Sequence, residues 1–112
     1  MEAKPKEIRI YTTSDNIAPF SQWRDSLKDN RARAKIRTRL DRVESGNLGD
    51  YKFVGEGVYE LRIDYGARYR IYFGQESNMI IFLLWGGDKS TQTKDIAKAQ
   101  VYWKDYRSRY DV

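Results

Sequence analysis

Arg62, Arg70 and Lys89 are the residues of this chain whose types and spacing best suit phosphate chemistry. A guanidinium fork matches phosphate oxygens bidentately, and a lysine adds a compact cation. Arg62 lies in an alternating run, with Tyr59, Leu61 and Ile63 against Glu60, Arg62 and Asp64. Arg70 lies in a second, with Tyr69, Ile71 and Phe73 against Arg68, Arg70 and Tyr72. A two-residue turn at Gly66-Ala67 would set Tyr65 against Arg68 and Ile63 against Arg70. That mixes apolar and charged residues on one face, which a buried face forbids. An odd loop such as Tyr65-Gly66-Ala67 removes the conflict. Asp64 then pairs with Arg68, Arg62 with Arg70 and Glu60 with Tyr72 on a polar face, while Ile63 meets Tyr69 and Leu61 meets Ile71 on a core face. Directly opposed arginines destabilise a sheet unless an anion lies between them. Two readings follow: a phosphate clamp, or two solvated cations neutralised by Glu60 and Asp64.

Lys89 belongs to Gly86-Gly87-Asp88-Lys89-Ser90-Thr91-Gln92, which follows an apolar run and opens a helix. Paired glycines allow close approach of a ligand, and a helix N-terminus favours anions. The G-x-x-x-x-G-K-[ST] pattern is absent, so triphosphate hydrolysis on such a loop is excluded. The plain alternative is that Ser90 or Thr91 only caps the helix. A second basic feature is Arg31, Arg33, Lys35, Arg37, Arg39 and Arg42, with Asp41 the lone acid of segment 31–42. This is either a solvated helix face or an electrostatic footprint for RNA, with Arg31, Lys35 and Arg39 as its nominated contacts. Among the nine tyrosines, Tyr59, Tyr69 and Tyr106, with Phe73 and Trp103, fall at core positions. Tyr65 at the hairpin tip and Tyr72 on the polar face are free to stack on bases.

Composition narrows the chemistry. The chain has 112 residues, no cysteine and no histidine. Disulfides, thiolate catalysis and most structural zinc sites are excluded, as are serine–histidine hydrolases and haem proteins. Zinc enzymes are excluded with them, and no cofactor is expected. Lys and Arg number 21 against 16 acids, a net charge of +5, which suits a polyanion partner. The longest apolar run, 79–85, falls far short of the roughly 20 residues a membrane helix needs. The first seven residues lack the apolar stretch of a signal peptide, so no membrane association and a cytoplasmic location are expected.

The elements that must position these residues follow from periodicity. Ile8-Arg9-Ile10-Tyr11-Thr12 reads as a strand, and Thr13-Ser14-Asp15-Asn16 offers N-cap candidates. Phe20, Trp23 and Leu27 predict a helix over about 17–28. Ala32, Ile36, Leu40 and Val43 predict another over about 31–45, ended by Gly46 and Asn47. So short a connection implies an antiparallel helical hairpin. After the Gly46-Asn47-Leu48-Gly49-Asp50 loop come the two alternating strands and the central strand 79–85. A last helix over about 92–109 carries Ile96, Ala99, Trp103 and Tyr106. The expected fold is one α+β domain over 1–112: a mostly antiparallel four- to five-stranded sheet with an N-terminal helical hairpin and a C-terminal helix.

These residues also carry a resemblance. Val54-Gly55-Glu56-Gly57-Val58-Tyr59-Glu60-Leu61-Arg62-Ile63-Asp64-Tyr65-Gly66, Tyr69-Arg70-Ile71-Tyr72-Phe73, and Gly86 to Gln92 with Asp95-Ile96 and Ala99 resemble the RelE/ParE superfamily of bacterial toxins. The match is to its phage-derived, HigB-like addiction-module killer branch, and it spans nearly the whole chain. The resemblance implies a RelE-like fold and a type II toxin that inhibits translation, a ribosome-dependent mRNA endoribonuclease neutralised by a cognate antitoxin of helix-turn-helix type. Arg62, Arg70 and Lys89 fall at the positions that surround the scissile phosphate. The implied reaction is metal-free attack of the RNA 2′-hydroxyl, leaving a 2′,3′-cyclic phosphate. Two departures stand out. Gly66-Ala67-Arg68 replaces the branch's usual Gly-Pro-Gly, so Arg68 is an RNA-binding candidate on charge alone. The helix position where some relatives carry a histidine or tyrosine falls near Asp95. The alternatives are a ParE-like DNA gyrase poison without catalysis, and a non-catalytic nucleic-acid-binding module.

Overall fold

The computed structural model describes residues 4–110; residues 1–3 and 111–112 of the expected domain lie outside them. The elements are β1 (Glu7–Ile10), α1 (Pro19–Ser26), α2 (Asn30–Glu44), β2 (Tyr51–Phe53), β3 (Val58–Ile63), β4 (Tyr69–Glu76), β5 (Ile80–Gly87), a 3-10 turn (Lys89–Thr91) and α3 (Gln92–Tyr110). The strands form one five-stranded sheet in the order β1-β5-β4-β3-β2. It is mixed, because β1 runs parallel to β5 while the other neighbours are antiparallel. No helix among the described residues is long and apolar enough to cross a membrane.

The sheet is covered on both faces. Leu61, Ile63, Ile71, Phe73, Ile81 and Leu83 pack beneath α1 and α2 with Phe20, Ile36 and Val43. Val58, Tyr72, Phe82 and Leu84 pack beneath α3 with Ala99 and Trp103. This explains why β5 is apolar at successive positions: Ile81 and Leu83 serve one core, Phe82 and Leu84 the other. Trp103 reaches the sheet because Gly74 leaves room for it, since a Cβ there would lie 2.5 Å from its ring.

The β3–β4 register is the one that the alternation predicts: Arg62↔Arg70, Glu60↔Tyr72, Leu61↔Ile71 and Ile63↔Tyr69. The loop is odd but longer than the three-residue example, spanning residues 64–68, because pairing stops at Ile63 and Tyr69.

Other expectations need correction. The face carrying Glu60 and Tyr72 is not a solvated polar face, because α3 covers it. Tyr72 has no exposed surface and cannot stack on a base. α1 and α2 are joined by residues 27–29, and Arg33 Nη2 donates to Asp25 O at 3.0 Å. α1 packs chiefly on β5, and α2 also meets β3. α1 begins with Ala18 as its N-cap and Pro19 in its first turn, without a side-chain cap from the 13–16 segment. α2 is capped by Asp29, which accepts from Arg31 N and Ala32 N. It stops where Gly46 turns to φ +100°. β2 is an exposed edge strand too short for periodicity to reveal.

Candidate nucleic-acid interface

Glu60 and the arginines around it form an ionic cluster at one end of the sheet. Its carboxylate has no exposed surface. Arg62 Nε donates to Glu60 Oε1 at 3.1 Å, and Arg70 Nε lies 3.5 Å from the same oxygen. On the other side, Tyr72 OH donates to Oε2 at 3.3 Å and Gln92 Nε2 at 2.8 Å. Burial by itself would raise the Glu60 pKa. The hydrogen bonds from Gln92 and Arg62 and the charges of Arg70 and Arg62 outweigh it, and hold the carboxyl below its usual range. One carboxylate thus faces two guanidinium groups. The Arg62 side chain is 38% exposed and that of Arg70 is 10%. Arg70 Nη1 donates to Arg68 O at 3.0 Å. Its Nε is buried without a hydrogen bond among the described residues.

The two arginines open onto a hollow of about 320 Å³, lined also by Asp50, Asp64, Arg68 and Tyr69. A second hollow of about 340 Å³ shares Arg62, Asp50 and Asp64, and adds Lys35, Arg39, Arg42 and Tyr65. Together they make a continuous basic trough from α2 to the β3–β4 end. Arg68, at φ +61°, is exposed on its rim.

The predicted site residues distribute unevenly around this trough. Arg62, Arg68 and Arg70 are brought together. Lys89 comes to the same end by its backbone, donating from N to Ala67 O at 3.3 Å, and its side chain is exposed. It lines neither hollow. Arg31 and Lys35 are exposed on α2. Arg39 is not a free contact: Nε donates to Arg62 O, and Nη2 to Leu48 O and Asp50 O, at 2.6–3.2 Å. It staples the 46–50 loop to β3, and burial lowers its pKa. Tyr65 is tied down as well, with its hydroxyl on Asp29 Oδ2 at 3.1 Å and Lys35 Nζ 5.9 Å above its ring.

The glycine pair also has a structural role rather than a ligand-cradling one. A Cβ on Gly86 would lie 2.1 Å from the Trp23 ring of α1, and one on Gly87 would lie 1.8 Å from Asp95 Oδ2 of α3. Asp95 is buried and accepts from Trp85 Nε1 at 2.8 Å and Thr91 Oγ1 at 2.5 Å. With both oxygens engaged, it is a structural anchor for the start of α3.

Glu60 and Gln92 are the site residues that sequence reading left out of the site. Their signal was present, since Glu60 shares the face of Arg62 and Arg70 and Gln92 ends the Gly86 motif. The lowered Glu60 pKa has a measurable consequence. A group with a depressed folded pKa contributes stability above its unfolded value, near 4.3, that is lost as pH falls through the folded value. Urea unfolding from pH 7 to 2 should show wild-type stability declining in acid, with a shallower decline for Glu60→Gln.

No family model matches the chain. A Haemophilus influenzae protein described as uncharacterized is 49% identical to it over 94 residues, which cover 84% of this chain and 91% of that protein. The chain belongs to the same family as that Haemophilus influenzae protein.

Proposed function

We propose that this chain is a RelE/ParE-like toxin of the HigB-like branch, a ribosome-dependent mRNA endoribonuclease held in check by a cognate helix-turn-helix antitoxin. One observation carries the reading: Arg62 and Arg70 are paired across β3 and β4, share one buried carboxylate, and open onto a solvent-accessible basic hollow. The hollow sets Arg62, Arg68 and Arg70 against Asp50, Asp64 and the buried Glu60, so what suits a phosphodiester is the adjacent guanidinium forks and not a net charge. In the proposed reaction the RNA 2′-oxygen attacks the adjacent phosphorus and gives up its proton. The P–O5′ bond breaks, and the 5′-oxygen takes a proton. The products are a 2′,3′-cyclic phosphate and a 5′-hydroxyl. Arginine acts here by charge and donation, stabilising the extra negative charge of the phosphorane. Lys89 is proposed to assist at the leaving oxygen, and Arg31 and Lys35 to meet ribosomal RNA.

Inducing the protein in bacteria should arrest translation and leave transcripts cut on ribosomes with 2′,3′-cyclic phosphate ends. Arg62→Ala should lower the cleavage rate by about 100-fold, the effect of losing one oxyanion donor, while the protein stays folded. Normal growth with soluble, folded protein would overturn the reading. DNA damage and filamentation with intact transcripts would replace it with gyrase poisoning.

A further inference from the structure

Glu60 joins two parts of the chain that are 32 residues apart, since its Oε1 faces both arginines and its Oε2 receives Gln92 from the start of α3. We infer that Glu60 is a positioning residue that holds Arg62 and Arg70 as one fork at the hollow, and that Gln92 and Tyr72 in turn fix Glu60. The inference rests on the phosphate-handling reading above and deepens it.

The geometry separates this role from two others. Glu60 has no exposed surface, so it reaches no substrate hydroxyl and is not a base in the reaction. Nor is it only a counter-ion. A neutralising charge could sit at many places near two arginines, whereas here the carboxylate faces the Nε of each. For Arg62, engagement at Nε leaves the two terminal nitrogens as the pair that a phosphate meets. The other carboxylate oxygen is held by two uncharged donors from β4 and α3, so the carboxylate cannot swing toward one arginine alone. Cations facing each other across a strand pair would otherwise splay apart.

Turnover, not binding, separates positioning from plain neutralisation. Removing the negative charge behind an anion site strengthens RNA binding if Glu60 only neutralises. If it positions, turnover falls even though binding holds or tightens.

The experiment uses the full chain with mRNA on translating ribosomes, measuring kcat and KM, together with binding of an RNA carrying a 2′-deoxy scissile position. Glu60→Gln should lose about 100-fold in kcat, the usual effect of misplacing a reacting group by about 1 Å. KM and deoxy-RNA affinity should stay level or improve. Gln92→Ala, which leaves the arginine-facing oxygen untouched, should lose about 10-fold in kcat, as supporting contacts typically do. Wild-type cleavage with undiminished kcat in Glu60→Gln would overturn this inference alone. A folded wild-type protein that cleaves nothing would overturn the underlying reading and this inference with it. Should Glu60→Gln fail to fold, Gln92→Ala and Tyr72→Phe decide: a lowered kcat at unchanged KM supports positioning, and unchanged kcat in both overturns it.

Discussion

Gly87→Ala is expected to unfold at denaturant concentrations that leave the wild-type protein intact. The new Cβ would lie 1.8 Å from Asp95 Oδ2, 2.7 Å from its Cγ and 3.1 Å from Thr91 Oγ1. Gly87 cannot retreat, because it is buried and pairs with Arg70 in the sheet. Asp95 must therefore move, and it is a buried carboxylate that loses its donors Trp85 and Thr91 as it does so. Overpacking and the broken charged hydrogen bonds together cost roughly 3–6 kcal/mol. That is a large share of the 5–15 kcal/mol that holds a typical domain together. Urea midpoints measure it. Adding Asp95→Ala should return part of the loss by making room, which a backbone defect at residue 87 would not allow. A Gly87→Ala protein within about 1 kcal/mol of wild type, below the usual overpacking range, would contradict this account of the glycine.

The same glycine shows what a sequence conceals. Gly86-Gly87 reads as a cradle for a ligand because glycine signals close approach, yet nothing local says what approaches. The answer lies at Trp23 and Asp95, on two different helices. By contrast, the β3–β4 register was legible, because Leu61, Ile63, Tyr69 and Ile71 alternate with Glu60, Arg62, Asp64, Arg68 and Arg70, and a slip of one would set charged residues against apolar ones. Residue types that suit two environments hide which one they occupy. Glu60, in the polar phase of a strand, looks the same whether solvated or enclosed. What separates the two is the start of α3, where Gln92 meets Oε2 of the fully buried carboxylate. The same ambiguity conceals the burial of Tyr72. Arg39 belonged to a basic run whose members look equivalent, and its three carbonyl partners come from loop and strand positions 9 to 23 residues away. The edges were illegible in another way. β2 has three residues, all exposed, and β1 gains its direction from a strand some 70 residues on.

Arg70→Met should destabilise the protein by about 3 kcal/mol, the low end for removing one partner of a buried ion pair. The low end applies because Arg62 stays on the same Glu60 oxygen. Arg62→Ala should cost less than about 1 kcal/mol, since that side chain is 38% exposed and its pairing is screened by water. The two arginines are directly opposed in register yet unequal in burial, so the same loss of charge has different structural consequences. Urea midpoints of the two variants, measured side by side at pH 7, check the difference. Equal midpoints would mean that the Glu60 cluster contributes nothing through its buried arm. The inequality also decides how a functional screen is read. Growth restored by an Arg70 substitution reflects lost phosphate binding, lost fold or both, because the residue lines the hollow while its Nη1 holds Arg68 O and its Nε faces the buried Glu60. Growth restored by Arg62→Ala, in a protein whose midpoint has barely moved, reports on the hollow alone.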